Sequence, residues 1–199
     1  MVKVTKDVAL QNRESLLQAA GQTLRAEGVQ AATVAAIAGK VGLTHGAIYR
    51  QFESKDALAA AAITADFDRI LAVLERIDRA GGGLAAYFRT YLAPDHRDHF
   101  VWGCPVAPLA AEMGRAAEPV QAAFAAGLHR NLEAIARLSR IADPAQAKDF
   151  AIFALAMLSG AMAMARATRG CDPETSTAIL EAALRALLAD PRVPATPSA

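Results

Sequence analysis

Cysteine, aromatic residues, net charge and long apolar runs are all scarce in this 199-residue chain. Two cysteines, Cys104 and Cys171, are too few and too far apart for the disulfide framework of a small secreted scaffold, so a reducing compartment is expected. Aromatic residues make up 6% while alanine and leucine dominate, which favours closely packed helices over a sandwich or barrel. The most apolar stretch, Phe150 to Ala165, falls short of the roughly 20 residues that cross a bilayer. Charges at Lys3, Lys6, Asp7, Arg13 and Glu14 interrupt the N-terminal segment, so no signal peptide and no membrane partner are expected, and the cytoplasm is the expected location. Catalytic signatures are missing as well: there is no phosphate-binding glycine loop, no His-Glu-x-x-His and no nucleophile with an evident base. Neither enzymatic turnover nor a cofactor is expected. His96, His99 and Cys104 do not follow a metal-ligand spacing, so no metal site is expected either.

What the chain does contain is core-forming material, with 54% hydrophobic residues, and an all-α fold of about nine helices is expected. The net charge of +1 hides an asymmetry. Residues 1–55 carry seven basic and four acidic side chains, and residues 56–199 carry fourteen and sixteen, so a head of +3 precedes a body of −2. That is the sense expected of a nucleic-acid-binding head. Apolar positions at Leu17, Ala20 and Leu24 mark a first helix that Gly28 ends. Thr33, Thr44 and Ser54 are N-caps for three more, and the Gly81-Gly82-Gly83 run stops the last of these. A helix through Tyr87, Phe88 and Tyr91 then runs to Pro94, and Asp95 to His99 reads as loop. A helix start falls at Cys104-Pro105, delayed to about Ala107 by Pro108. A helix over 119–140 follows, and Asp143-Pro144 and Asp172-Pro173 open two more over 144–169 and 173–189. The expected division is a head over 1–56, a body over 57–190 and a disordered tail over 191–199.

The segment Thr33 to Leu58, TVAAIAGKVGLTHGAIYRQFESKDAL, holds two short helices joined by a tight glycine turn and followed at once by a third capped helix. A helix-turn-helix over 33–52 needs this arrangement, with Ile37, Val41, Leu43 and Ile48 packed beneath the turn. Its second helix presents Thr44, His45, Gly46, Ala47, Tyr49 and Arg50. Hydroxyl, imidazole and guanidinium groups suit phosphate oxygens and base edges, and Gly46 allows close approach to a duplex. Lys55 stands in the first turn of the next helix, where its charge joins free backbone N–H groups to hold a phosphate.

With these residues in place the segment resembles the DNA-binding domain of the TetR family. Thr-Val-x-x-Ile-Ala at Thr33, Gly-hydrophobic-Thr-x-Gly at Gly42, Ile-Tyr-x-x-Phe at Ile48 and Ser-Lys-x-x-Leu at Ser54 recur there at the same spacing. The resemblance covers about residues 10 to 60. It implies phosphate contacts for Thr33, Thr44, Tyr49 and Lys55, and a major-groove face made of His45, Ala47 and Arg50. Gln51 departs from the pattern, since the family usually has Tyr or His there.

Such heads work in pairs, so a homodimer is expected on double-stranded operator DNA. The resemblance implies that the last two helices supply the dimer surface, with Leu155, Leu158, Ala161, Met162 and Ala165 on one and Ile179, Leu180, Ala183, Leu184, Leu187 and Leu188 on the other. A small-molecule inducer is expected in the body, apolar or mildly polar because no charge cluster marks the region. Phe67, Tyr87, Phe88, Tyr91, Trp102, Cys104, Phe124, His129, Phe153 and Met157 are its candidate contacts. The whole reads as a ligand-responsive repressor. A constitutive DNA-binding protein remains an alternative. So does a sensor of electrophiles through Cys104, whose thiol a helix N-terminus would acidify and which resembles a cysteine in some TetR-type regulators.

Overall fold

The structure, a computed structural model, describes residues 6–99, 101 and 103–193, with the side chains of residues 6–10 outside the description. Ten helices and no strand occur among the described residues. The head comprises α1 (Lys6–Glu27), α2 (Val34–Lys40) and α3 (His45–Tyr49). The body comprises α4 (Lys55–Arg79), α5 (Gly83–Tyr91), α6 (Pro94–Asp98), α7 (Val106–Met113), α8 (Glu118–Ser139), α9 (Pro144–Thr168) and α10 (Pro173–Ala189). The expected boundary after residue 56 falls in the first turn of α4, so one helix runs unbroken from head to body.

Local chemistry accounts for most of the boundaries. Thr33, Thr44 and Ser54 each accept from the backbone N–H three residues on, at 3.2, 3.2 and 3.0 Å, and so satisfy donors that a helix start leaves free. Each such cap contributes about 1 kcal/mol. Asp143 and Asp172 cap α9 and α10 in the same way, each followed by a proline at the first helical position.

Three expectations change. The stretch over 95–99 is not a loop: Pro94 opens α6, which accounts for a tenth helix. Next, α7 begins at Val106 rather than Ala107, because Pro108 falls in the first turn, where backbone N–H groups have no intrahelical acceptor to lose. Finally, the apolar stretch from Phe150 belongs to a 25-residue helix, long and apolar enough by composition to cross a membrane, with 44% of that apolar window buried inside the molecule.

The core is continuous from head to body. Leu16, Ala20 and Leu24 of α1 meet Leu58, Ala62, Ile63 and Phe67 of α4, and α4 packs along α8, which packs on α9. Leu155, Leu158, Ala161, Met162 and Ala165, expected at a dimer surface, are instead buried within the single chain, as are Leu180, Ala183 and Leu187. Ile179, Leu184 and Leu188 pack half-buried against the same core. The inward stripes of α9 and α10 are consumed in holding the two helices to each other, α9 to α8 and α10 to α5. Pro191 to Val193 forms a turn in which Asp190 and Arg192 pair at 2.7 Å, and Arg192 lies over Phe150 at 4.8 Å. The rest of the expected tail lies outside the described residues.

Candidate functional site

The turn between α2 and α3 is made by Gly42 in the left-handed region, φ +66°, with the N–H of Leu43 donating to Ala38 O at 3.0 Å. An L side chain is strained in that conformation, which explains the glycine. Val34, Ile37, Ala38 and Ile48 are buried under the turn and hold α3 against α2. The outer side of α3 is left to solvent. Thr33, Thr44, His45, Gly46, Tyr49 and Arg50 are exposed, and Ala47 is half-buried.

Several of these side chains are set before any ligand arrives. The Thr33 and Thr44 oxygens accept the capping N–H bonds, so their hydroxyl hydrogens remain able to donate outward. His45 and Tyr49 lie one turn apart and stack edge to face at 4.9 Å. Lys55 is half-buried and donates to Gln30 O at 3.0 Å, bracing the loop before Thr33 while its remaining two N–H groups stay unused by that bond. Sequence reasoning missed Arg13, whose guanidinium lies 4.5 Å above the Phe52 ring and ties α1 to the end of the motif. No local pattern signals that contact.

In the body, α4, α5, α6 and the segment before α7 line a cavity of about 310 Å³ that is open to solvent on one side. Its wall includes Ile70, Val73, Tyr87, Tyr91, His96 and Cys104. Tyr87 and Tyr91 stack edge to face at 5.8 Å, and Tyr91 does the same with His96 at 4.7 Å. Burial pushes both phenols well above their ordinary range. Burial also lowers the His96 pKa, against the opposing pull of its 2.6 Å bond to Tyr91 O. A neutral His96 therefore donates from Nδ1 to that carbonyl and leaves Nε2 as an acceptor. Gly103 has no room for a side chain: a Cβ there would lie 2.2 Å from His96 Nε2 and 3.3 Å from Arg166 Nη2.

The structure thus brings Tyr87, Tyr91 and Cys104 together and separates the other candidates. Phe67 and Phe124 stack at 5.6 Å inside the core, and Phe88 is wholly buried there. His129 sits on the outside of α8, paired with Glu133 at 3.2 Å beside a separate groove. Phe153 is 40% exposed on the outer side of α9, and Met157 is half-buried on the same helix. Trp102 lies outside the described residues, as does Phe100. The acidified thiol expected at Cys104 is overturned: the residue is 1% exposed, and desolvation raises its pKa despite nearby Arg166 and Arg25. Ile70, Val73, His96 and Gly103 were not foreseen. For His96 the one available signal was Pro94 at the first helical position of α6, as in α9 and α10 but without the capping aspartate that marks those two starts.

The outward side of α9 carries a second feature. Ile152, Phe153, Ala156, Gly160, Ala163, Met164 and Ala167 are all exposed, so this side has an uncovered apolar band. Ile152 and Met164 keep 46% and 55% of their surface. Ala178, Ala182 and Ala186 of neighbouring α10 are exposed as well.

Comparison with known proteins bears on the same two regions. Residues 16–62 match the family model for bacterial regulatory proteins of the tetR family. Residues 83–178 match the model for the C-terminal domain of LmrA/YxaF-like transcriptional regulators. The HTH-type transcriptional repressor Rv1474c of Mycobacterium tuberculosis is 27% identical over 187 residues, which is 91% of this chain and 95% of that protein. Among solved structures, the reduced form of NemR from E. coli superposes with a TM-score of 0.77 at 20% identity, over 95% of this chain and 100% of that one. A TetR-family regulator from Agrobacterium tumefaciens gives 0.75 at 22%, over 94% and 99%. These likenesses show a shared fold. With the two family matches in consecutive order and a helix-turn-helix exposed where the first one falls, the chain belongs to the TetR family of DNA-binding bacterial transcriptional regulators.

Proposed function

We propose that the protein is a cytoplasmic repressor that binds a palindromic operator in double-stranded DNA as a homodimer and is released by a small-molecule inducer. The observation that carries the reading is the outward set Thr33, Thr44, His45, Tyr49 and Arg50 on a rigidly braced helix-turn-helix. Thr33, Thr44, Tyr49 and Lys55 supply donors for phosphate oxygens. His45, Ala47 and Arg50, with Gly46 allowing close approach, face the base edges. One head gives weak binding, while two heads about 34 to 36 Å apart engage successive major grooves.

The apolar band on α9, flanked by α10, supports the dimer, because an uncovered stripe of this kind is stabilised by a twin copy packed in a four-helix arrangement. The named repressor relative supports the sign of regulation. The cavity beside α5 and α6 is the inducer site in this reading, with Tyr87, Tyr91 and Cys104 as contacts and an apolar or mildly polar ligand. Because α4 runs from Lys55 at the DNA end to Ile70 and Val73 on the cavity wall, it transmits occupancy to the spacing of the heads. A coupling of about 1 to 3 kcal/mol suffices for a 5- to 150-fold change in operator affinity. The deep burial of Cys104 favours this non-covalent reading over control through its thiol.

Selection of bound duplexes from a random pool tests the reading. The expected product is an inverted repeat whose half-sites lie one helical turn apart or a multiple of it. Recovery of unrelated duplexes, or of single half-sites bound by one protomer, would contradict it.

A further inference from the structure

A second connection between head and body runs through the end of α1, independently of the α4 backbone. Arg25, in the last turn of α1, is 3% exposed. Its Nε donates to Val101 O at 2.9 Å, its Nη2 bonds the same carbonyl, and its Nη1 pairs with Asp66 of α4. Arg69 pairs with the other oxygen of Asp66. Just past α1, the Val29 N–H donates to Glu112 Oε2 of α7 at 2.8 Å. The head is therefore fastened on both sides of the segment that carries Gly103 and Cys104: at Val101 before it and at Glu112 after it. Gly103 and Cys104 are the part of the cavity wall that this segment contributes.

We propose that Arg25 and Glu112 form a latch through which displacement of the Gly103–Cys104 wall moves the C-terminal end of α1, and with it the helix-turn-helix. The inference rests on the ligand-controlled reading above. A buried guanidinium whose acceptors shift must follow them or lose them without replacement by water, so the Val101 carbonyl and α1 move as one body. The Val29 bond fixes the adjoining turn, and α2 starts only a few residues later at Val34. The fork geometry of arginine matters here, since lysine at the same place keeps the charge opposite Asp66 but cannot hold Val101 O at the same time through two N–H groups.

A double-mutant cycle tests the latch without knowledge of the inducer, using the full-length protein and its selected duplex. Gly103→Ala pushes the wall from within, because its Cβ would overlap His96. Cys104→Met, at the next position, is a second push should the first fail to fold. The latch is removed by Arg25→Lys with Glu112→Gln. Val73→Trp presses on the cavity from α4 and serves as the comparison. The expected result is that either wall variant weakens DNA binding by about tenfold in the intact protein and by less than about twofold without the latch. Val73→Trp should weaken binding equally in both backgrounds.

Equal effects of the wall variants with and without Arg25 and Glu112 would overturn the latch. So would a Val73→Trp effect combined with silent wall variants, which would leave control through α4 standing. If neither the wall variants nor Val73→Trp change DNA affinity, the ligand-controlled reading falls and the latch falls with it.

Discussion

In the head, the side chains offered to DNA lie between Thr33 and Lys55, and six of the eight are exposed. In the cavity, Ile70, Tyr87, His96 and Cys104 come from four separate stretches, and Tyr87 and Cys104 keep 3% and 1% of their surface. The head works by leaving polar groups outside a small apolar wedge, so its chemistry is local and its cost in stability is low. The cavity places polar atoms inside, where each lost partner is expensive. The two regions should therefore differ in what substitution costs: changes in the head should alter DNA binding with little effect on stability, and changes beneath the cavity should lower stability directly, with DNA binding affected only through the moving wall.

The largest expected effect lies at Asp66, which is 1% exposed and holds both Arg25 and Arg69. Asp66→Ala leaves two cations facing each other and should destabilise the protein by about 3 to 5 kcal/mol, read from the urea midpoint at unchanged slope. A loss below about 1 kcal/mol would show that the region is not the rigid core described. Ile152→Glu probes the uncovered band on α9. It should leave the monomer folded but cost the dimer about 3 kcal/mol or more by burying an unpaired charge, with a monomer seen by light scattering. An unchanged dimer would move the interface elsewhere.

Arg50→Ala should cost about 1 to 3 kcal/mol of operator affinity and relax preference at one base position, while Lys55→Ala should weaken all duplexes alike and lower the salt slope by about 1. Neither should change the urea midpoint much, and a large shift in it would break the contrast between head and cavity.

The smallest effect is a pH dependence at His96. Burial lowers its folded pKa below the ordinary value of 6.5, so the unfolded chain binds a proton more readily. The contribution from neutral His96 is complete above about pH 6.5 and is lost as pH falls toward the folded value. The melting temperature should drop on acidification through that window, and His96→Gln should flatten part of the drop. An unchanged slope in that variant would show that His96 is not the group responsible.

The same contrast explains what could be read from sequence. Thr33, Gly42, Thr44 and Ser54 act within three or four residues of themselves, through caps and a positive φ, so spacing alone located the head. Asp143-Pro144 and Asp172-Pro173 are similarly self-contained, and α9 and α10 start where they stand. The cavity has no such local grammar. Tyr87, Tyr91 and Cys104 were visible as aromatic and thiol candidates, yet nothing near them separates a wall residue from Phe67, which spends its ring against Phe124 and Gly127. The outward side of α9 was not legible because an apolar helix buried on one side and bare on the other shows little periodicity. The buried stripe drew attention while Ile152 and Met164 did not. Arg25 meets Val101, and Val29 meets Glu112, across more than 70 residues of chain, contacts that only the fold supplies.

Fluorescence anisotropy on the DNA flanking the gene, against a scrambled duplex at two salt concentrations, tests the central claim most directly. The account predicts tight binding to the flanking duplex by two protomers, a preference over the scrambled one that persists at the higher salt, and loss of that preference in Arg50→Ala. Equal, salt-sensitive binding to both duplexes, or an unchanged preference without Arg50, would contradict it.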